Sequence, residues 1–115
     1  FAVEIKNIVD TLSSLFTKPA VYLNGHSGGG SFIFGYLKSV SVIPDKIHRI
    51  SFIDSNYGYD STYSTQLITW LNNKHHNLDV FAYNDSVALY NNKPVVSATG
   101  GTWYRTHLMM HHFYP

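Results

Sequence analysis

The chain has no cysteine in its 115 residues, which excludes disulfides and thiol chemistry. Charge is scarce. Only 13% of residues are charged and the formal net charge is +1, so no electrostatic footprint for nucleic acid or an anionic membrane surface is visible. No apolar run approaches the roughly 20 residues a membrane span needs. Internal repeats, low-complexity segments and interdomain linkers are also lacking. What is abundant is apolar and aromatic: 44% hydrophobic and 16% aromatic, enough to bury a core. The length suits one small domain or part of a larger one.

Phe1, Ile5, Ile8, Val9, Leu12, Leu15 and Phe16 recur at helical spacing, and Lys18-Pro19 breaks the pattern. The chain thus opens inside a helical pattern with no signal peptide before it, as expected of a fragment lacking an N-terminal part. Ala20–Asn24 is a short β-prone run of the kind found in buried parallel strands. After the glycine-rich turn Gly25–Gly30, Ser31–Ser39 reads as a buried helix. Arg49–Ile53 reads as a second strand ending at Asp54, and Ser55–Asp60 as a loop. Tyr63, Leu67, Trp70 and Leu71 lie on one face of a helix over 61–73. Leu78–Tyr83 is a third strand, ending at Asn84-Asp85. Val87–Tyr90 and Val95–Ser97 flank Asn91-Asn92 as a hairpin would. Ala98–Thr102 is a loop, and the chain from Trp103 onward fits a helix. Strands alternating with helices predict an α/β fold, a mostly parallel sheet in a three-layer sandwich. Ligands bind beyond the carboxyl ends of such strands, where Ser27, Asp54 and Asp85 all fall.

The segment Gly25-His26-Ser27-Gly28-Gly29 matches G-x-S-x-G, after a strand and before a helix, as a nucleophile elbow requires. The turn is tight enough that residues two before and two after the serine crowd each other, so Gly25 and Gly29 are expected to need no side chain. The hydroxyl projects above the sheet, and the next helix directs its N-terminus at the site. The Gly28 N–H can donate to an oxyanion. A phosphate-binding turn fits less well, because the P-loop lysine is missing and G-x-G-x-x-G does not match. The string GHSGG also occurs in trypsin-like proteases, but there the histidine and aspartate precede the serine.

A serine hydroxyl needs a base. His26 neighbours Ser27 and points away from it, His48 precedes a strand, and His75 and His76 belong to a polar connection read as solvated. His107, His111 and His112 remain, with His107 favoured because it follows the Gly-containing loop. His107 and His111 are spaced to share a metal on a helix, but no third ligand or H-E-x-x-H glutamate accompanies them, so no metal or cofactor is expected. For the acid, Asp54 and Asp85 compete; Asp54 is favoured because it directly follows an apolar strand.

On VYLNGHSGGG, ISFIDSNYG and GGTWYRTH, the chain resembles the carboxyl-terminal part of an α/β-hydrolase over roughly residues 5–112. The resemblance implies a single partial domain over 1–115, either completed by a second segment of its own chain or forming only part of the protein. It implies a Ser-His-Asp site hydrolysing an ester or amide through an acyl-enzyme, as in an esterase, lipase or amidase. Tyr57, Tyr59 and Trp103 are expected to rim the substrate site, whereas Tyr63 and Trp70 belong to the core. The alternative is a non-catalytic module that binds a glycan or peptide in the same aromatic cleft.

Overall fold

The computed structural model describes residues 1–115. Helix α1 (Ala2–Ser13) precedes strand β1 (Val21–His26), helix α2 (Gly29–Ser39) and strand β2 (Ile47–Ile53). Helix α3 (Ser64–Leu71), entered through a 3₁₀ turn at Ser61–Tyr63, leads to strand β3 (Asn77–Phe81). A hairpin of β4 (Leu89–Tyr90) and β5 (Lys93–Pro94) then leads to helix α4 (Gly101–Phe113). The three long strands form one parallel sheet in the order β1-β2-β3, so the α/β reading holds at the level of a parallel sheet with four helices.

Register fixes which side chains share a face. Leu23 pairs with Ile50 and Gly25 with Phe52, while Ile50 pairs with Leu78 and Phe52 with Val80. This face carries the core. Phe34 of α2 stacks on Phe52 with ring centroids 4.9 Å apart, and on its other side meets Tyr63 at 4.8 Å. Trp70 of α3 donates its indole N–H to the Ile47 carbonyl (2.8 Å), tying that helix to the start of β2. The opposite face carries Tyr22, Asn24 and His26 on β1, Arg49 and Ile53 on β2, and Asn77 and Phe81 on β3. Most of these are exposed, Phe81 by 63%. The helices therefore cover one face of the sheet. The buried apolar residues Leu23, Ile50 and Phe52 of the paired register all lie on the helix-covered face.

Helix α1 follows its predicted periodicity but buries only part of its apolar side. Ile5 and Val9 are in the core, whereas Ile8, Leu12, Leu15 and Phe16 stay exposed. Ile8, Leu12 and Phe16 line an apolar groove of about 440 Å³ alongside β1. Lys46 ties the helix to the segment before β2: it and Lys6, one turn earlier in α1, each reach a different oxygen of Asp10 at 2.6 Å, holding its carboxyl below the usual carboxylate range.

The hairpin turns at Asn91-Asn92 as expected, with φ of 51° and 61°. Two consecutive left-handed residues make a type I′ turn, for which asparagine is well suited. Its first strand is shorter than predicted and its second lies at Lys93–Pro94, not at Val95–Ser97; Leu89 pairs with Pro94 and Tyr90 with Lys93. His76 departs from the solvated-loop reading. It is buried, stacks on Trp70 at 4.9 Å, and its Nδ1 bonds the Trp70 carbonyl at 2.7 Å.

Candidate functional site

Strand β1 ends at His26 and α2 begins at Gly29, so Ser27 occupies a two-residue strand-to-helix turn. Its φ is 50°, a left-handed value that costs a non-glycine residue about 1–2 kcal/mol. Such strain concentrates at functional positions. Ser27 is exposed, and no side-chain hydrogen bond engages its hydroxyl. The N–H of Gly28 has no acceptor within the protein, while Gly30 and Ser31 bond back to Ser27 and Gly28. A free donor at the helix N-terminus thus follows the serine directly.

The glycines divide differently from the expectation. A Cβ on Gly25 would lie 2.9 Å from the Gly29 backbone and from Ile33 Cδ1, so that position needs glycine. A Cβ on Gly29 would meet nothing within 4 Å. At the start of α2 the restricted glycine is instead Gly30, where a Cβ would come within 1.8 Å of the Ser55 carbonyl oxygen. Ser55 in turn donates its hydroxyl to the Gly25 carbonyl at 2.7 Å. The loop after β2 is therefore clamped to both ends of the elbow.

Asp54 repeats the arrangement one strand over. Its φ is 48°, also left-handed. The Ser27 N–H donates to Ile53, the last residue of β2 (3.3 Å), and the Asp54 N–H donates to Phe81, the last residue of β3 (2.7 Å). Since His26 pairs with Ile53, Ser27 and Asp54 stand opposite each other on neighbouring strands, which run about 4.8 Å apart. Asp54 Oδ1 accepts the Tyr83 N–H (3.2 Å) and the Thr102 hydroxyl. Asp85 lies beside it. Its Oδ2 accepts the Thr102 N–H (2.9 Å) and its Oδ1 the Trp103 N–H (3.4 Å), capping the start of α4. Both aspartates are partly buried.

Helix α4 begins at this cluster and docks through polar groups. Thr106 and Asn56 bond side chain to side chain at 3.1 and 3.3 Å. Arg105 reaches the Tyr59 carbonyl at 2.9 Å, and His112 Nδ1 bonds the Tyr59 hydroxyl at 2.8 Å. Thr102, Arg105, Thr106, Met109 and His112 follow helical spacing, so they share the docked face.

His107 and His111 fall off that face and are exposed. The His107 ring packs against Trp103 at 4.8 Å, and its Nδ1 bonds the Trp103 carbonyl at 2.8 Å. The imidazole hydrogen bonds formed by His76, His107 and His112 go to Trp70, Trp103 and Tyr59; none reaches Ser27, Asp54 or Asp85. The structure sets Ser27 across from Asp54, with Asp85 beside it, and no imidazole is hydrogen-bonded to any of the three.

Of the expected aromatic rim, Tyr57 and Trp103 are exposed, by 42% and 36%. Tyr59 is not on a rim. It is fully buried, and burial, with the nearby Asp60 charge, pushes its phenol up to about 12. Tyr63 and Trp70 are core residues, as read from their helical face. The residues missed in the sequence are Ser55, Asn56 and Thr102. All three are buried polar side chains that set the geometry around Ser27 and Asp54. The one available signal was the absence of charge in Ser55-Asn56 directly after an apolar strand. No protein-family model matches the chain, and neither a curated protein nor a solved structure does.

Proposed function

We propose that the chain carries the nucleophile of a serine hydrolase of α/β-hydrolase type, acting on an ester or amide. One observation carries the reading: Ser27 is held left-handed between a parallel strand and a helix, with its hydroxyl exposed and the unpaired Gly28 N–H next in sequence. Ser27 Oγ attacks the substrate carbonyl carbon while a base takes its proton. The Gly28 N–H faces the negative charge that develops on the carbonyl oxygen. The bond to the leaving alcohol or amine then breaks, and that group leaves with the proton. Water repeats the attack on the acyl-enzyme, releases the acid and restores the Ser27 hydroxyl. An aspartate, Asp54 or Asp85, orients the base.

His107 is the proposed base. Among the α4 histidines it is fewest turns from Thr102, at about 7.5 Å along the helix axis. The role requires its Nδ1 to leave the Trp103 carbonyl, as resting hydrogen bonds do in many catalytic sites. Tyr57 and Trp103 are the proposed substrate contacts.

That no histidine hydrogen-bonds Ser27 favours a second reading, a non-catalytic module that holds a glycan or peptide against Tyr57 and Trp103. A fluorophosphonate probe distinguishes the two. Covalent labelling of the folded protein that vanishes in Ser27→Ala supports the hydrolase; a folded protein that takes no label is the binding module. Loss of labelling in His107→Ala but not in His111→Ala supports His107 as base, and the reverse pattern moves the role to His111.

A further inference from the structure

We infer that Asp54, not Asp85, is the acid that orients the base, and that Thr102 is the positioning residue that holds the Asp54 carboxylate ready. The inference rests on the serine hydrolase reading above and divides labour between two aspartates that the sequence left in competition.

The hydrogen bonds to the two carboxylates differ in kind. Asp85 spends both oxygens on the first turn of α4: Oδ2 takes the Thr102 N–H at 2.9 Å and Oδ1 the Trp103 N–H at 3.4 Å. This is how an acidic side chain satisfies the unpaired donors of a helix N-terminus. The chain is shaped for that contact. Gly101 has φ of 83°, and a Cβ there would lie 2.5 Å from Asp85 Oδ2. Both Asp85 oxygens are thus already engaged by the helix end, and an imidazole would have to share one of them.

Asp54 is half-committed. Its Oδ1 takes the Tyr83 N–H and the Thr102 hydroxyl, and its Oδ2 has no partner in the protein. An ionised carboxylate accepts at both oxygens, so Oδ2 is the vacant acceptor of the pair. The backbone aims it: Asp54 is the left-handed residue directly across from Ser27, and its N–H is fixed to β3. An imidazole bridging Ser27 Oγ and Asp54 Oδ2 would have its two nitrogens matched to a donor on one side and an acceptor on the other.

Thr102 joins the two aspartates but has one hydroxyl proton. Its Oγ1 lies close to Asp54 Oδ1 and 3.3 Å from Asp85 Oδ2, so the proton goes to Asp54. The Thr102 backbone N–H serves Asp85 and its side chain serves Asp54. The same residue thus anchors the helix and fixes the rotation of the acid, and removing only the hydroxyl separates the two tasks.

The test measures labelling rate against fluorophosphonate concentration, with melting temperature, for the full chain and four variants. Thr102→Val keeps the shape and the backbone N–H but removes the hydroxyl. Its limiting labelling rate is expected to fall about tenfold, the effect of one charge-assisted hydrogen bond, with the half-saturating probe concentration unchanged. Thr102→Ser restores the rate to within about twofold, since the donor returns. Asp54→Asn lowers the limiting rate by about a hundredfold or more. Asp85→Asn lowers the melting temperature, yet its folded fraction labels within about twofold of wild type. The inference is overturned if Asp85→Asn loses the rate while Asp54→Asn keeps it, or if Thr102→Val labels as fast as wild type. Should Thr102→Val fail to fold, the Asp54→Asn and Asp85→Asn pair still decides. A wild type that takes no label removes the nucleophile and this assignment with it. A wild type that labels while all variants match it keeps the nucleophile and overturns the assignment alone.

Discussion

Two adjacent glycines in the same helical turn are predicted to respond to alanine with opposite signs. At Gly30 the new methyl would sit 1.8 Å from the Ser55 carbonyl oxygen and 2.8 Å from its carbonyl carbon. An ordinary contact begins near 3.4 Å, so α2 and the 55–60 loop must separate by about 1.5 Å. The obstacle is backbone, not the end of a flexible side chain, and it belongs to a residue with no exposed surface. Overpacking of this kind costs about 1–3 kcal/mol, and stretching the Ser55–Gly25 hydrogen bond adds about 1 kcal/mol. At Gly29 the methyl meets nothing within 4 Å, and alanine replaces a residue of poor helix propensity. The gain is up to about 1 kcal/mol, less near the helix end. For a domain of this size 1 kcal/mol moves the melting temperature by about 4 °C. Gly30→Ala is therefore expected to melt about 8–16 °C below wild type, and Gly29→Ala a few degrees above it. Differential scanning calorimetry of the three proteins reads both shifts. Equal shifts, or a destabilised Gly29→Ala beside an unaffected Gly30→Ala, would refute the clamp between Ser55 and the elbow.

Replacing Ser27 by glycine is expected to remove probe labelling while raising stability by about 0.5–1 kcal/mol, because glycine relieves the left-handed strain at the cost of a more flexible unfolded chain; a loss of stability in urea unfolding would show that Ser27 is not strained. Tyr36 and Tyr59 both have phenols pushed up to about 12, chiefly by burial. Their neutral forms stabilise the fold below an unfolded pKa of about 10, and that contribution is lost as pH rises from 10 toward 12. Since the Tyr36 hydroxyl is buried without a partner, Tyr36→Phe should cost nothing at neutral pH and soften the alkaline loss seen by circular dichroism; a loss above about 1 kcal/mol at neutral pH contradicts this. Asp10, held low by its bonds to Lys46 and then Lys6, stabilises the fold above an unfolded pKa of about 3.9, and its contribution disappears as pH falls through the lower folded value. Asp10→Asn should thus be less stable than wild type at pH 7 by under about 1 kcal/mol, with the gap closing in acid and in high salt; a gap independent of both excludes the ion pairs as its source.

The strand, elbow and helix around Ser27 were legible in the residues because each depends on local rules. An apolar run, a glycine-flanked serine and a second apolar run specify strand, tight turn and helix within about fifteen residues. The hairpin at Asn91-Asn92 was legible for the same reason: two residues that tolerate positive φ fix the turn type themselves. Trp70 and Tyr63 announced their burial through helical spacing. Which side of α4 His107 falls on was not legible, because α4 docks through Thr102, Arg105 and Thr106. A polar docking stripe leaves no hydrophobic period to reveal which side faces inward.

The sequence by itself therefore determined the alternation of strands and helices, the position of the serine and the two aspartates behind it, since periodicity and turn chemistry act over short distances. Only the tertiary structure decided the rest. It chose Gly30 over Gly29 because Ser55 packs there, it buried Tyr59 and His76, and it gave Asp85 to the start of α4 while leaving Asp54 an open oxygen. Each of those outcomes depends on a partner outside its own local segment, as with Thr102 and Asp54, 48 positions apart. Pairings at that distance are fixed by how whole elements pack and by the need of each buried polar group for a partner, which no single segment encodes.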